Sequence, residues 1–306
     1  MNEPNIRGLI AATVTPMNRD FSIDEGSLRR YLRWIAEQGV VGLAINVDTG
    51  EGPHLFPEER LRVLEIALEE VGGRVTVVAG LGATFTEQAI RVAKDTASVG
   101  VDAFLVFPIA AYQGDPLDPE IPAAYHRAIA DAAGLPLIAF QLQPALGGVN
   151  FSPEAIGAVM EVEGVVAIKE ASFDARRFLE TTRLVHELPT PKIVLNGNDN
   201  FLLEAYLLGA DGALLGFGTL AAREQVGMLD AVRAGDHGRA AKIARRVQAL
   251  CDAIFTPPVR DYRARTKHAL ARLDVIDAAH VRPPLLPLNE DEVARVDRAM
   301  KEAGLI

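Results

Sequence analysis

Eight short runs rich in Val, Ile, Leu and Ala alternate along the chain with longer segments whose apolar positions recur at helical spacing. The runs are Gly8 to Thr15, Gly42 to Asn46, Val75 to Gly80, Ala103 to Pro108, Leu137 to Gln141, Val165 to Lys169, Ile193 to Gly197 and Ala213 to Phe217. Most lack polar alternation, the pattern of strands covered on both faces. Amphipathic stretches lie between them, opening at Ser27, Pro57, Thr86 and Ser152. Several close on a glycine suited to a left-handed cap, at Gly39, Gly72, Gly100, Gly134 and Gly164. Strand–helix alternation repeated eight times predicts an α/β fold with a parallel sheet, and eight units suit closure into a (β/α)8 TIM barrel. The competing open, doubly wound sheet usually has fewer units and a Gly-rich first turn. The turn here, Thr13-Val14-Thr15-Pro16-Met17, has no glycine.

After the eighth unit the rhythm changes. From about Arg239 to Leu273 the pattern predicts two helices broken at Pro257-Pro258, then a proline-rich strap, Arg282 to Pro287, and a last helix over Asn289 to Ala303. The expected organisation is a barrel over 1–235 with a C-terminal helical appendage, 236–306, packed on it as one structural unit.

Composition narrows the function classes. In 306 residues, 49% are hydrophobic and 24% charged, enough for a large core. A net charge of −10 without a basic cluster argues against a nucleic-acid partner. No apolar run reaches membrane-span length, and the start Met1-Asn2-Glu3-Pro4 lacks the basic and apolar regions of a signal peptide. Cys251 is the single cysteine, so a reducing cytoplasm is the expected compartment. The six histidines are scattered without metal-ligand spacing, so neither a metal nor another cofactor is expected.

Lys169 closes the sixth run, Val165-Val166-Ala167-Ile168-Lys169. Lysine is rarely buried, because the interior does not replace its hydration. Burial favours the neutral amine, which is the nucleophile that forms a Schiff base with a ketone. The other reading is a strand-end lysine that snorkels to solvent or pairs with Glu170. In a barrel, chemistry gathers at the C-terminal strand ends. Val47-Asp48-Thr49-Gly50-Glu51 follows the second strand, Asn196-Gly197-Asn198-Asp199 the seventh and Gly216-Phe217-Gly218-Thr219 the eighth. Acid–base candidates there are Asp48, Glu51, Glu170 and Tyr112, with Gln141 and Gln143 as hydrogen-bonding partners.

These features resemble the N-acetylneuraminate lyase and dihydrodipicolinate synthase superfamily over nearly the whole chain. Ala12-Thr13-Val14-Thr15-Pro16 resembles its first strand, Asp48-Thr49-Gly50-Glu51 its GTTGE turn, and Ile168-Lys169-Glu170-Ala171-Ser172 its Schiff-base strand. Gly197-Asn198-Asp199 is similar to its G-D-D turn, and Val281-Arg282-Pro283-Pro284-Leu285 to its C-terminal strap. The resemblance implies a class I lyase in which Lys169 attacks the ketone of a 2-oxo acid, pyruvate or a pyruvate-ended sugar acid. The resulting iminium would drive aldol chemistry or dehydration. It also implies that Thr49, Gly50 and the Gly197 turn grip the substrate carboxylate, that Leu214 lines the floor, and that the chain assembles as a homo-oligomer, dimer or tetramer.

The departures fall on the site. Phe140, followed by Gln141, stands where the family has a proton-relay tyrosine, and a phenyl ring moves no proton. Asp48 replaces the first threonine of the family's pair. Ile109-Ala110 replaces the paired tyrosines after strand four, with Tyr112 slightly later, and Gln143-Pro144-Ala145 contains no arginine for a second carboxylate. Asp48, expected beside apolar walls, and then Tyr112, swinging over the mouth, are the candidates to replace the relay. The alternative function is a non-catalytic barrel that binds a small oxo acid.

Overall fold

The computed structural model describes residues 4–306; Met1–Glu3, the start of the stretch read as lacking a signal peptide, lie outside them. Eight parallel strands pair in chain order: β1 (Leu9–Ala12), β2 (Gly42–Ile45), β3 (Thr76–Leu81), β4 (Ala103–Val106), β5 (Leu137–Leu142), β6 (Val165–Ala171), β7 (Ile193–Asn196) and β8 (Gly212–Leu215). β8 pairs back onto β1, so the sheet is a closed barrel and the open sheet is excluded. The helices between strands are α1 (Glu25–Ala36), α2 (Pro57–Val71), α3 (Thr86–Ala97), α4 (Glu120–Ala133), α5 (Pro153–Met160), α6 (Ala175–His186) and α7 (Leu202–Leu207); α8 (Ala222–Arg233) follows the last. The fold is the (β/α)8 TIM barrel that the alternation predicts. No helix among the described residues is long and apolar enough to cross a membrane.

Successive strand residues face opposite sides, so each run serves two cores. Ile10, Val78, Leu105, Ile138, Leu195 and Leu214 fill the barrel interior, while Leu43, Val77, Phe104 and Ile168 pack outward against the helices. That double burial explains why the strands read as continuous apolar runs. Local signals set the helix starts: the Asp24 carboxylate accepts the Ser27 N–H at 2.9 Å, and the Ser152 hydroxyl accepts the Ala155 N–H at 3.2 Å. Of the five expected cap glycines, Gly72 departs. Its N–H still closes α2 on the Leu68 carbonyl, and Gly73, with φ 73°, makes the left-handed turn.

The chain then forms α9 (His237–Phe255), α10 (Tyr262–Arg272) and α11 (Glu290–Glu302), broken at Pro257-Pro258 as the sequence indicates. α9 packs on α8 and α11. α10 reaches the barrel mouth through Lys267, which is fully buried. Its ammonium donates to the buried carboxylate of Glu51 and, at 2.7 Å, to the His280 carbonyl. Glu51 also accepts the Arg282 N–H at 2.8 Å, so one carboxylate joins the turn after β2 to α10 and the strap. Removing one partner of a buried ion pair strands the other charge. Lys267→Met should therefore lower stability in urea denaturation by about 3–5 kcal/mol. Glu51→Gln with Lys267→Met should recover most of the loss; an equal loss in single and double variants would contradict the pairing.

Candidate active site

Strand parity brings Lys169 into the barrel. Ala167 and Ala171 face inward on β6, and Lys169 between them shares that side, while Ile168 packs outward. Lys169 is in register with Phe140 on β5 and Leu195 on β7, and its Nζ lies 4.2 Å from the Phe140 ring centroid. The side chain is buried, and no acceptor among the described residues lies within hydrogen-bond or ion-pair distance of the amine. It does not snorkel, and Glu170 is not its partner. Burial lowers the amine's pKa from 10.5 to about 8, against the opposing pull of the Asp199 and Asp48 carboxylates. Gly197 makes room for it: a Cβ there would lie 2.8 Å from Lys169 Cε.

A cavity of about 40 Å³ opens beside the amine. One water needs roughly 10–15 Å³ on the same measure, so the space suits a small ligand head. Asp48, Thr49, Phe140, Lys169 and Gly197, all at or just after strand ends, line it together. Leu214 lies a layer deeper, in the interior core, and does not reach the cavity. Gly50 faces the segment after β1 instead: its carbonyl accepts the Thr15 hydroxyl at 2.8 Å, and a Cβ would meet the Thr13 carbonyl at 2.8 Å.

Three other candidates are elsewhere. Gln141 follows inward-facing Phe140 and so points out, bonding the Glu170 carboxylate at 2.8 Å and accepting the Phe151 N–H at 2.9 Å. Glu170 is likewise outside the barrel; Asn198 Nδ2 also donates to it at 2.8 Å. Tyr112 is fully buried against Tyr125 and Phe151, its hydroxyl without a partner among the described residues, and does not line the cavity. Burial raises its pKa further. The apolar packing that buries the ring fixes it away from the mouth.

Asp48 does not sit beside apolar walls alone. The Tyr262 hydroxyl donates to its Oδ2 at 2.8 Å, and Arg263 donates to Oδ1 and, at 2.8 Å, to its carbonyl. The Tyr262 and Thr49 hydroxyls are also within hydrogen-bond distance of each other, at 3.2 Å, and Tyr262 stacks on Phe255 at 4.8 Å and lines the cavity. Burial and then Asp48 raise its pKa well above the ordinary tyrosine value. Both Tyr262 and Arg263 come from α10, more than two hundred residues from Asp48, and no local pattern announces them. Asp199 was legible as part of its turn but was not singled out. Counting in twos from inward-facing Leu195 passes Gly197 and reaches it. Its Oδ1 accepts the Phe217 N–H at 2.9 Å, and burial raises its pKa to about 7, against that N–H and the Lys169 charge.

The lowered pKa of Lys169 has a stability signature. Between about 8 and 10.5 the folded chain has shed a proton that the unfolded chain keeps, so the Lys169 contribution becomes more favourable as pH rises. Lys169→Met should be more stable than the parent near pH 7, and the gap should shrink toward pH 10. Denaturation curves giving a pH-independent gap would contradict the burial account.

The sequence model of the dihydrodipicolinate synthetase family matches residues 5–303. The 4-hydroxy-tetrahydrodipicolinate synthase of Methylobacterium radiotolerans is 31% identical over 306 residues, 100% of this chain and 98% of that protein. A chloride-inhibited dihydrodipicolinate synthase from Acinetobacter baumannii, solved with pyruvate, superposes with a TM-score of 0.87 at 30% identity, over 99% and 100% of the two chains. N-acetylneuraminate lyase from Fusobacterium nucleatum shares the fold, with a TM-score of 0.84 at 24% identity over 97% and 98%. With the family model spanning nearly the whole chain, this protein belongs to the dihydrodipicolinate synthetase family.

Proposed function

We propose that the protein is a class I lyase that cleaves or forms a bond at the carbon next to the ketone of a 2-oxo acid through an iminium on Lys169. The observation that carries this reading is a buried amine without a bonded partner, opening on a cavity at the C-terminal end of the barrel. Burial favours the free base that attacks the C2 carbonyl. Loss of water then leaves an iminium, and the Asp199 and Asp48 carboxylates favour that cation. In the cleavage direction the C3–C4 bond breaks and its electron pair enters the iminium, giving an enamine. The C4 hydroxyl loses its proton as it becomes a carbonyl. Protonation at C3 and hydrolysis release pyruvate and the free lysine.

That mechanism needs a proton carrier, and Phe140 is not one. The Tyr262–Asp48 pair supports the role: a proton accepted at the Tyr262 oxygen displaces its own along the 2.8 Å bond to Asp48. The raised pKa of Tyr262 suits a shuttle that never rests as tyrosinate. Thr49, whose hydroxyl joins this pair, is the proposed carboxylate contact. The synthase reaction of the curated relatives is disfavoured, because the stretch Gln143-Pro144-Ala145 offers no cation for a second carboxylate. Phe140 favours the second reading, a barrel that binds an oxo acid without turning it over.

Borohydride reduction with pyruvate should add one stable adduct by intact mass, lost in Lys169→Ala with the far-UV spectrum unchanged. Asp48→Asn and Tyr262→Phe should keep the adduct yet slow pyruvate release from 4-hydroxy-2-oxo acids by about a hundredfold. An adduct persisting in Lys169→Ala would overturn the assignment; trapping without turnover of any such acid would favour the binder.

A further inference from the structure

The geometry points to a substrate whose chain beyond the 2-oxo acid head is uncharged and apolar, an alkyl or aryl tail received by one half of the barrel mouth. The inference rests on the Schiff-base reading and deepens it.

The mouth is divided. Going around the closed barrel, polar cavity residues follow β2 and β7: Asp48, Thr49 and Asp199. The arc over β4, β5 and β6 is apolar, with Phe107, Phe140, Leu142 and Phe173, and Leu146 from the 3-10 turn after β5 beyond them. Lys169, on β6 beside β7, stands at the border. A head group bonded to Lys169 and turned toward Thr49 therefore sends its chain the other way, across the apolar arc.

Charge excludes the acidic alternatives. Apart from Lys169, the charged side chains lining the cavity are Asp48 and Asp199, both acids. The nearby guanidinium of Arg263 is already committed to the carboxylate and carbonyl of Asp48. A second substrate carboxylate would meet the Asp48 carboxylate and the acid of Asp199, with no free cation among the described lining residues, a burial that proteins avoid. A polyhydroxylated tail fares little better, since the apolar arc has no side-chain donor or acceptor to replace its water.

Phe173 adds an independent observation. It continues the inward series Lys169, Ala171, Phe173 and has φ 61°, in the left-handed region that bulky residues avoid. Asn198 Oδ1 accepts its N–H at 2.6 Å, and Asn200 Nδ2 donates to its carbonyl at 3.3 Å. If the turn into α6 needed only that backbone, glycine would supply it without strain. A phenyl kept there in place of glycine puts its ring on the cavity wall, half-buried. Phe107 meets Phe140 edge-on at 5.2 Å, which fixes the facing part of the wall.

Competitive imine trapping tests this without depending on turnover. The full-length protein is mixed with equimolar pyruvate, 2-oxo-4-phenylbutanoate and 2-oxoadipate, reduced with borohydride and weighed by intact mass. Each yield is corrected for the reaction of that acid with Nα-acetyl-lysine. The phenyl-tailed adduct should exceed the dicarboxylate adduct by about tenfold or more, and Leu146→Arg should move the ratio toward the dicarboxylate. A dicarboxylate adduct equal to or above the phenyl adduct, or a ratio indifferent to Leu146→Arg, overturns the proposal while pyruvate trapping keeps the Schiff-base reading. Absence of any adduct, pyruvate's included, sinks both.

Discussion

The site depends on keeping one amine out of water without giving it an anion to bond. Lys169 and Lys267 are both buried, yet their surroundings are opposite. Lys267 donates to Glu51 and to the His280 carbonyl, so its charge is compensated and it acts as a fastener between α10 and the mouth turn. Lys169 faces the Phe140 ring and an open cavity, with Asp199 and Asp48 near enough to favour a cation but outside bonding distance. Burial alone therefore does not set Lys169 apart from Lys267; burial without a bonded partner among the described residues does. Such a group costs stability, and it persists because the barrel around it is held by two cores that do not involve it.

The appendage is part of the chemistry proposed here. α10 brings Tyr262 and Arg263 onto Asp48, and Lys267 onto Glu51, so one helix engages two residues of the same turn after β2. The Tyr262 ring is in turn backed by Phe255 at the end of α9. A hydroxyl supplied from the C-terminal helices thus reaches the space where Phe140 offers none. The same turn carries Thr49, so the proposed head-group contact and the proposed proton path share one mechanical support.

Much of this was legible in the sequence. Double-sided burial makes barrel strands read as apolar runs, and the lysine ending the sixth run was conspicuous against that background. Parity made Phe140 and Lys169 neighbours, and the same parity sends Gln141 and Glu170 to the outer face; counting in twos would have removed Gln141 from the site and added Asp199. Tyr112 was misjudged because a loop tyrosine gives no local sign that Tyr125 and Phe151 will enclose it. Gly50 was read as a ligand contact, whereas close approach to the Thr13 carbonyl requires it. Tyr262, Arg263 and Lys267 meet their partners across more than two hundred residues, and only the packing of α10 on the mouth creates those contacts.

The central claim is that Lys169 is a buried amine poised to lose its proton near neutral pH. With only six lysines in the chain, the ¹³Cε resonances of uniformly labelled lysine can be followed one by one through a pH titration. The account predicts that a resonance absent from Lys169→Arg moves with a midpoint of about 8. A midpoint for that resonance near the ordinary lysine value of 10.5 would contradict it.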